Sequence, residues 1–271
     1  MITAKELFTS IEQGITTFAD SDRYKTFLKV MSKFSKYSCN NILLISMQMP
    51  NATLLAGANA WRTKFGRFVK KGEKGLSILA PVLKKHPNTK NEDDEPENPS
   101  EKKLMGFRVV HVFDVSQTEG KPLPHLTSEL TSDVVDFNNL LDALREIAQI
   151  PVVYQSSLGG AYGMFSRTNN CIYIKEGLGQ LQQIKTLIHE IAHSRLHSED
   201  STERDAAEVE AESVAYAVCA HIGLDTSDYS FGYLTSWSKG DTKILQQSFS
   251  RIYSATKQII SELEKRYASG K

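Results

Sequence analysis

Residues 182–197 read QQIKTLIHEIAHSRLH, and this stretch decides how the rest of the chain is interpreted. Its centre, His189-Glu190-Ile191-Ala192-His193, fits the pattern HExxH. Apolar residues recur around it at helical spacing and predict a helix that buries one side. Residues four apart on a helix lie one above the other, so the two imidazoles should share a second face that borders a cleft.

Two imidazoles placed in this way can bind one zinc ion at about 2.0–2.1 Å. A catalytic zinc takes three protein ligands and leaves one position open. Glu190, beside the first histidine, is then placed to take a proton from the attacking water and to pass it to the leaving amine. The motif therefore predicts a zinc metallopeptidase with His189 and His193 as ligands and Glu190 as the catalytic base.

The next predicted helix, at about 203–222, offers a third ligand. Glu208 and Glu212 lie four residues apart on one face of it. Small residues keep this helix slim enough for close approach, namely Ala207, Ala211, Ala215 and Cys219. We assign Glu208 as the ligand and Glu212 as the carboxylate that orients a ligand imidazole by accepting its other N–H, the gluzincin arrangement. The reverse assignment of the two glutamates stays open.

His197 is a weaker candidate for the third ligand. It lies eight residues beyond His189, and one helix cannot easily wrap three imidazoles around one ion. We expect it at the helix end, near backbone carbonyls. The metzincin spacing is excluded because Leu196 and Glu199 stand where that class has glycine and histidine. Two other interpretations stay open: HExxH as an accidental helical pattern, and a zinc site without catalysis.

Charge is unevenly distributed along the 271 residues, which are enough for one large domain or two ordinary ones. Residues 1–86 contain fourteen Lys/Arg and five Asp/Glu, a net charge of +9. Residues 87–101 carry −5 and residues 102–271 carry −4, so the formal total is zero. The basic N-terminal part can attract a phosphate backbone although the whole chain is neutral.

Three scattered cysteines without a CxxC pair argue against a disulfide framework and favour a reducing cytoplasm. The N-terminus has no basic segment followed by an apolar run, so no signal peptide is expected. The strongest apolar stretch, 42–49, is too short to span a bilayer. We therefore expect a cytoplasmic protein without a membrane partner.

The pattern of elements predicts an α+β protein with two domains. Residues 3–49 are predicted to be helical, and glycine-punctuated residues from Arg67 to about position 82 are predicted to form a hairpin or meander. Residues 86–103 are polar and acidic and are predicted to be a disordered loop. A first, helical and β domain is expected over 1–125. A zincin-like domain with a small antiparallel sheet and packed helices is expected over 126–271.

Cations alternate with aromatic and amide side chains in the N-terminal domain. Single-stranded nucleic acid binds to such surfaces because cations contact the phosphates and aromatic rings stack on the bases. A solvated lysine-rich face is the other interpretation. The candidate DNA contacts are Lys36, Tyr37, Asn40, Asn41, Trp61, Lys64, Arg67, Lys70, Lys71 and Lys74.

Several blocks resemble one known family. Residues 34–48 (FSKYSCNNILLISMQ), 67–81 (RFVKKGEKGLSILAP) and 112–120 (VFDVSQTEG) are similar, in this order, to the N-terminal domain of ArdC-type antirestriction proteins. Residues 186–224, through HExxH and Glu208-x-x-Ala211-Glu212-x-x-Ala215, resemble that family's metallopeptidase-like domain, which is related to the ImmA/IrrE and SprT-like groups.

The resemblance implies single-stranded DNA binding by residues 1–125, joined to a zinc site in 126–271. Members of this family are typical of conjugative plasmids and integrative elements, where antirestriction protects incoming DNA from host restriction enzymes. The acidic insert at 92–101 and the C-terminal helix depart from the plasmid proteins. In these respects the chain is similar to an LtrC-like subgroup of Gram-positive mobile elements.

We therefore expect a zinc metallopeptidase-like protein that binds single-stranded DNA and assists the transfer or establishment of a mobile element. Its expected partners are single-stranded DNA and a protein substrate. Two alternatives remain: an ImmA-like regulatory protease that cleaves a repressor, and a DNA-binding module with a structural zinc.

Overall fold

The computed structural model describes residues 2–17, 21–84, 103–123, 137–198, 204–224, 226 and 242–269. The predicted disordered loop, 86–103, lies outside the described residues except for Lys103, which begins a strand. By its internal contacts the chain divides into two compact units. The first comprises Met1–Gln13 and Leu43–Pro122, and the second comprises Gly14–Ile42 and Leu123–Lys271.

Runs of helices and runs of strands follow one another along the described residues, which confirms the α+β class. The helices are α1 (Ala4–Thr16), α2 (Ser21–Lys33), α3 (Cys39–Gln48), α4 (Ala58–Phe65), α5 (Phe137–Ala148), α6 (Gln180–Leu196), α7 (Arg204–His221) and α8 (Thr242–Ser269). The strands are β1 (Leu55–Ala56), β2 (Arg67–Val69), β3 (Leu76–Lys84), β4 (Lys103–Asp114), β5 (Thr118–Gly120), β6 (Val152–Gln155), β7 (Gly163–Ser166) and β8 (Cys171–Lys175). None of the helices described is both long and apolar enough to cross a bilayer.

The first unit is built on the antiparallel pair β3–β4, whose register runs from Leu76↔Val112 to Lys84↔Lys103. Strand β1 pairs with the other edge of β4, and β2 pairs separately with β5. The prediction of a hairpin or meander that pairs β2 with β3 is therefore wrong. Strand β2 has only three residues, whereas the nine residues of β3 find a partner of matching length in the twelve-residue β4.

Asp114 ties together three backbone segments of the first unit. Its carboxylate is 2% exposed and accepts the backbone N–H groups of Thr53 (2.7 Å), Leu54 (3.1 Å) and Ser116 (3.0 Å). Burial raises the pKa of this carboxyl, but the N–H donors outweigh burial and the net pKa lies below its usual range. The carboxylate therefore acts as an ionised hub for the ends of β1 and β4.

Replacing this hub, Asp114→Asn, is expected to lower the free energy of unfolding by about 2–3 kcal/mol at pH 7, because the new amide group faces N–H donors. The folded-state pKa of Asp114 lies below the unfolded value, so its contribution is present above about pH 4 and is lost as the pH falls through the folded-state pKa. Urea unfolding at pH 7 and pH 3 should show a smaller difference at pH 3. The exposed Glu119→Gln is the control, and an equally small effect of both variants at pH 7 would contradict the prediction.

The second unit contains residues 14–42 because helix α2 packs against α7. The hydroxyl groups of Tyr24 and Ser213 lie 2.7 Å apart in the core, and the rings of Tyr24, Phe27 and Phe249 contact one another. This division differs from a single boundary at residue 125, which would place all of α2 with the first domain. The change between units at 122/123 falls close to that predicted position.

A three-stranded sheet packs against α6 in the second unit, with the order β6-β8-β7. Strands β7 and β8 form an antiparallel pair as expected, whereas β6 runs parallel to β8. The central strand is buried through Ile172 and Ile174. Strand β7 is left at the sheet edge, next to the helix that carries HExxH.

Candidate metal centre

Helix α6 presents His189 and His193 on one side and an apolar face on the other. Its apolar side chains are fully buried: Ile184, Leu187, Ile188 and Ile191. The two imidazole rings lie one turn apart with centroids separated by 4.6 Å, and their Nε2 atoms are 3.0 Å apart. Burial of the apolar face thus fixes the orientation of α6 about its own axis, and both imidazole rings point to the same side of the helix.

Helix α7 brings a carboxylate to these rings. Glu208 Oε2 lies 3.4 Å from Nε2 of His189 and 3.7 Å from Nε2 of His193. The three atoms form a triangle whose circumscribed radius is about 2.0 Å, which matches a zinc–ligand bond. The small residues Ala207 and Ala211 are buried, and this allows the close approach of α7. The donor set of two nitrogens and one oxygen therefore fits one divalent ion.

Glu212 contacts the other nitrogen of the first imidazole. Its Oε2 lies 3.3 Å from Nδ1 of His189, and its Oε1 forms an ion pair with the buried Lys185. A carboxylate paired with a cation accepts hydrogen bonds, so Nδ1 of His189 carries a proton, and Nε2 is the nitrogen that faces Glu208. In the geometry of this site, Glu208 takes the position assigned to the ligand and Glu212 the position assigned to the orienting group.

The electrostatics of the cluster favour a bound cation. Burial lowers the pKa of His189, but hydrogen bonds to Glu208 and Glu212 outweigh burial and raise it to about 9. The neighbouring imidazoles of His189 and His193 hold the pKa of Glu208 well below its usual range. Acceptor atoms that converge in this way repel one another unless a proton or a metal ion lies between them. Metal binding would replace that proton.

Glu190 lies beside the cluster on the sheet side of α6. It is 6% exposed, and its Oε2 accepts the backbone N–H of Phe165 on β7 at 2.7 Å. Burial raises the pKa of this carboxyl, and the neighbouring histidines and the N–H of Phe165 oppose the shift. The arrangement holds one carboxylate oxygen on the edge strand and leaves the other without that contact.

Gly163 on β7 permits this close approach. A Cβ atom at this position would lie 2.5 Å from Cγ2 of Thr186 and 2.8 Å from Oε1 of Glu190. Gly163→Ala is therefore expected to push β7 away from α6 and to lower the free energy of unfolding by about 1–3 kcal/mol. Chemical denaturation measures the change. The control is Gly179→Ala, since nothing lies within 4 Å of a Cβ there, and equal stability of the two variants would contradict the prediction.

The predicted DNA contacts of the first unit fall into two groups. Trp61 is fully buried and its indole N–H donates to the carbonyl of Phe113, so this ring cannot stack on a base and is removed from the candidates. Arg67 donates to the carbonyls of Thr118 (2.9 Å) and Lys121 (2.6 Å), where it clamps β2 to β5. Exposed cations remain on α4 and on the turn after β2, namely Lys64, Lys70, Lys71 and Lys74.

The other four predicted DNA contacts lie in the second unit, two between α2 and α3 and two in the first turn of α3. Lys36 and Asn40 are exposed, and Tyr37 is half-buried with its carbonyl accepting the hydroxyl of Tyr253. Asn41 is buried and is therefore unsuited to contact a phosphate or a base.

A buried network behind His193 was missed in the sequence. His197 ends α6 as expected, but its ring contacts His193 and Glu210 rather than carbonyl groups. Glu210 in turn pairs with Arg251 of α8. The sequence contained a signal for this network. Glu210 lies among alanines and valines on a helix face that is expected to be buried, and a buried carboxylate needs hydrogen-bonding or charged partners.

Two known family models match the chain, one in its N-terminal part and one in its C-terminal part. Residues 2–113 match the model of the N-terminal domain of anti-restriction factor ArdC. Residues 146–220 match the IrrE N-terminal-like domain of peptidase family M78. The fold and site thus define a two-domain protein with an ArdC-type N-terminal domain and an IrrE-like, metallopeptidase-type domain. Residues 2–113 therefore resemble the ArdC N-terminal domain and residues 146–220 the IrrE-like domain, whereas the LtrC-like subgroup stays a prediction.

Two solved structures share this fold, and one curated relative matches most of the chain. The antirestriction protein ArdC from plasmid R388 has this fold in its metal-free crystal structure, with a TM-score of 0.55 and 18% identity over 83% of this chain and 85% of that one. Its Mn(II)-bound structure gives a TM-score of 0.52 with 18% identity over 82% and 83%. An uncharacterized Bacillus anthracis protein, pXO2-81, is 26% identical over 97% of this chain. The chain spans about half (51%) of that relative's length.

Proposed function

We propose that this chain is a zinc metallopeptidase-like protein that binds single-stranded DNA and assists the transfer or establishment of a mobile genetic element, as an antirestriction-type factor. The convergence of His189, His193 and Glu208 from two helices carries the metal half of the proposal. The match of residues 2–113 to the ArdC N-terminal domain supports the DNA half. The three cysteines of the chain are free thiols, in keeping with a cytoplasmic site of action.

Zinc is the metal proposed for this site. Two imidazoles and a carboxylate, with a fourth position free, form the ligand set of catalytic zinc in several metallopeptidases. For such nitrogen and oxygen donors, zinc binds more tightly than manganese by the Irving–Williams order. A relative has been crystallised with Mn(II), which fits a site for divalent ions in this family.

Glu190 supplies the proton transfers in the proposed hydrolysis. A bound zinc ion would lower the pKa of a water molecule and polarise the scissile carbonyl. Glu190 takes the proton of the attacking water and delivers it to the leaving amine. Its contact with the N–H of Phe165 holds the carboxylate beside the histidines, and its burial favours a basic carboxylate.

A substrate-independent assay tests the peptidase half. Purified protein loaded with one zinc per chain is incubated with a peptide library, and the products are identified by mass spectrometry. New termini that appear with zinc and vanish after chelation are expected. A library left intact by protein that demonstrably holds zinc would contradict hydrolysis and leave a structural zinc site.

The DNA half is tested at the exposed turn after β2. Lys71 and Lys74 are exposed there, and we expect each to contact a phosphate of single-stranded DNA. Lys71→Ala with Lys74→Ala should reduce the slope of log affinity against log salt by about 1.4, because each phosphate contact on a single strand adds about 0.7. Fluorescence anisotropy with a labelled oligonucleotide measures this slope.

The matched control removes one exposed cation from the second unit, Lys257→Ala on α8, and should leave the slope unchanged. If the double variant binds with the wild-type slope, these lysines do not contact DNA.

A further inference from the structure

We propose that buried His197 is a positioning residue that, backed by the Glu210 carboxylate, holds His193 in the tautomer whose Nε2 can accept the metal ion. This inference rests on the proposed metal site. It adds three residues to the account that are not part of HExxH or of the assigned ligand set: His197, Glu210 and Arg251.

The three residues form one continuous line of contacts inside the second unit. His193 Nδ1 lies 3.1 Å from His197 Nδ1, and His197 Nε2 lies 3.1 Å from Oε2 of Glu210. Arg251 then contacts both oxygens of Glu210, with its Nε 3.0 Å from Oε2. His197 is 1% exposed and Glu210 is fully buried, so water does not compete for these contacts.

The direction of each hydrogen bond follows from the Glu210–Arg251 ion pair at the end of this line of contacts. Glu210 is fully buried and both of its oxygens contact the guanidinium of Arg251, a cation that can only donate, so Glu210 acts as a hydrogen-bond acceptor. His197 must then donate from Nε2, which leaves its Nδ1 to accept the contact from Nδ1 of His193 at 3.1 Å. His193 must donate from Nδ1 to that acceptor, and its Nε2 keeps a lone pair.

That lone pair faces the site where the ion is proposed, since His193 Nε2 lies 3.0 Å from Nε2 of His189 and 3.7 Å from Glu208. His189 is held by Glu212 directly, whereas His193 is held through a second imidazole. Both ligand rings thus end on a carboxylate that is paired with a cation, Lys185 or Arg251. In each case the outer carboxylate fixes the orientation and the tautomer of a ligand imidazole, as it does for metal-binding histidines in general.

A change of one atom tests the inference. In Glu210→Gln, the amide oxygen is drawn to Arg251 and the amide NH₂ is directed at His197, which reverses the donor order as far as His193. Zinc affinity, measured by competition with a chromophoric chelator, is expected to fall about 10–100-fold. The control, Glu262→Gln, removes a carboxylate from another arginine pair, with Arg195, and should bind zinc within about twofold of wild type.

Histidine ¹⁵N NMR of the metal-free proteins reports the tautomer of His193 directly. A variant that only destabilises the fold would not change this tautomer. Wild type should show His193 protonated at Nδ1, and Glu210→Gln should show it protonated at Nε2. His197→Phe should lose affinity as Glu210→Gln does. His197→Gln, whose amide can accept from His193 and donate to Glu210, should retain most of it.

The outcomes separate this inference from the metal site itself. A wild-type protein that binds no zinc overturns the proposed site, and the NMR tautomer still decides the role of His197. Zinc binding by Glu210→Gln within twofold of wild type, with His193 still protonated at Nδ1, overturns the inference. If Glu210→Gln does not fold, the same decision rests on His197→Phe against His197→Gln.

Discussion

Zinc affinity is expected to fall about a thousandfold when His193 is replaced by alanine. The apparent binding free energy of protein zinc sites, on the order of 10–16 kcal/mol, is shared among three or four ligands, so each ligand contributes about 3–4 kcal/mol. His193 offers its Nε2 to the cluster and has its other nitrogen bonded to His197. Competition with a chromophoric chelator measures the change, with circular dichroism to verify the fold.

Two comparisons control this prediction. His111→Ala removes an exposed histidine of the first unit and should leave zinc affinity unchanged. Glu208→Ala should weaken zinc binding more than Glu212→Ala does, because Glu208 contacts both Nε2 atoms whereas Glu212 contacts Nδ1 of His189. A larger loss for Glu212→Ala would reverse the assignment of the two glutamates, and unchanged affinity of His193→Ala would remove this residue from the site.

Glu190→Gln is expected to reduce peptide hydrolysis by about 10²–10⁴-fold while zinc affinity stays within about threefold of wild type. The amide has the same shape and can still accept the N–H of Phe165, but it cannot take a proton from water. Initial rates on a peptide that the wild-type protein cleaves measure the effect, with zinc content measured on the same samples.

Glu176→Gln, at an exposed position in the turn after β8, is the control for this variant, with unchanged rates expected. If Glu190→Gln still cleaves the peptide at the wild-type rate, Glu190 is not the base and another group must accept the proton. Loss of both zinc and activity would instead show that Glu190 supports the site rather than the chemistry.

The sequence predicted the elements of the second unit well because their signals are local. The HExxH helix, expected at 182–197, spans Gln180–Leu196, and the glutamate helix, expected at 203–222, spans Arg204–His221. Helical periodicity places both imidazoles on one side of α6, and the alanines of α7 leave room for that helix. The meeting of Glu208 with the histidines could therefore be anticipated from spacing and residue size.

The same local signals could not predict which segments distant in the sequence pair with each other. The turn between β2 and β3 suggests a hairpin, yet β2 pairs with β5 about fifty residues later, because Arg67 is anchored on carbonyls near Thr118. The position of α2 in the second unit likewise depends on Tyr24 meeting Ser213 across 189 positions of the chain. Nothing in the local pattern of either segment specifies its partner.

Surface chemistry was misjudged where a residue type serves two purposes. Trp61 and Arg67 are common in nucleic-acid contacts, but tryptophan is also a core residue and arginine also clamps backbone carbonyls. Lys70 shares this second role, since its ammonium group donates to the carbonyl of Ser116 at 2.9 Å. Lys64, Lys71 and Lys74 are exposed, as a DNA-binding surface requires.

Anomalous scattering at the zinc edge from crystals of the zinc-loaded protein tests the central claim most directly. One peak per chain is predicted, bonded at about 2.0–2.2 Å to Nε2 of His189, Nε2 of His193 and a carboxylate oxygen of Glu208. A protein that contains zinc but shows its anomalous peak on other side chains, or no peak at these three atoms, would contradict the account.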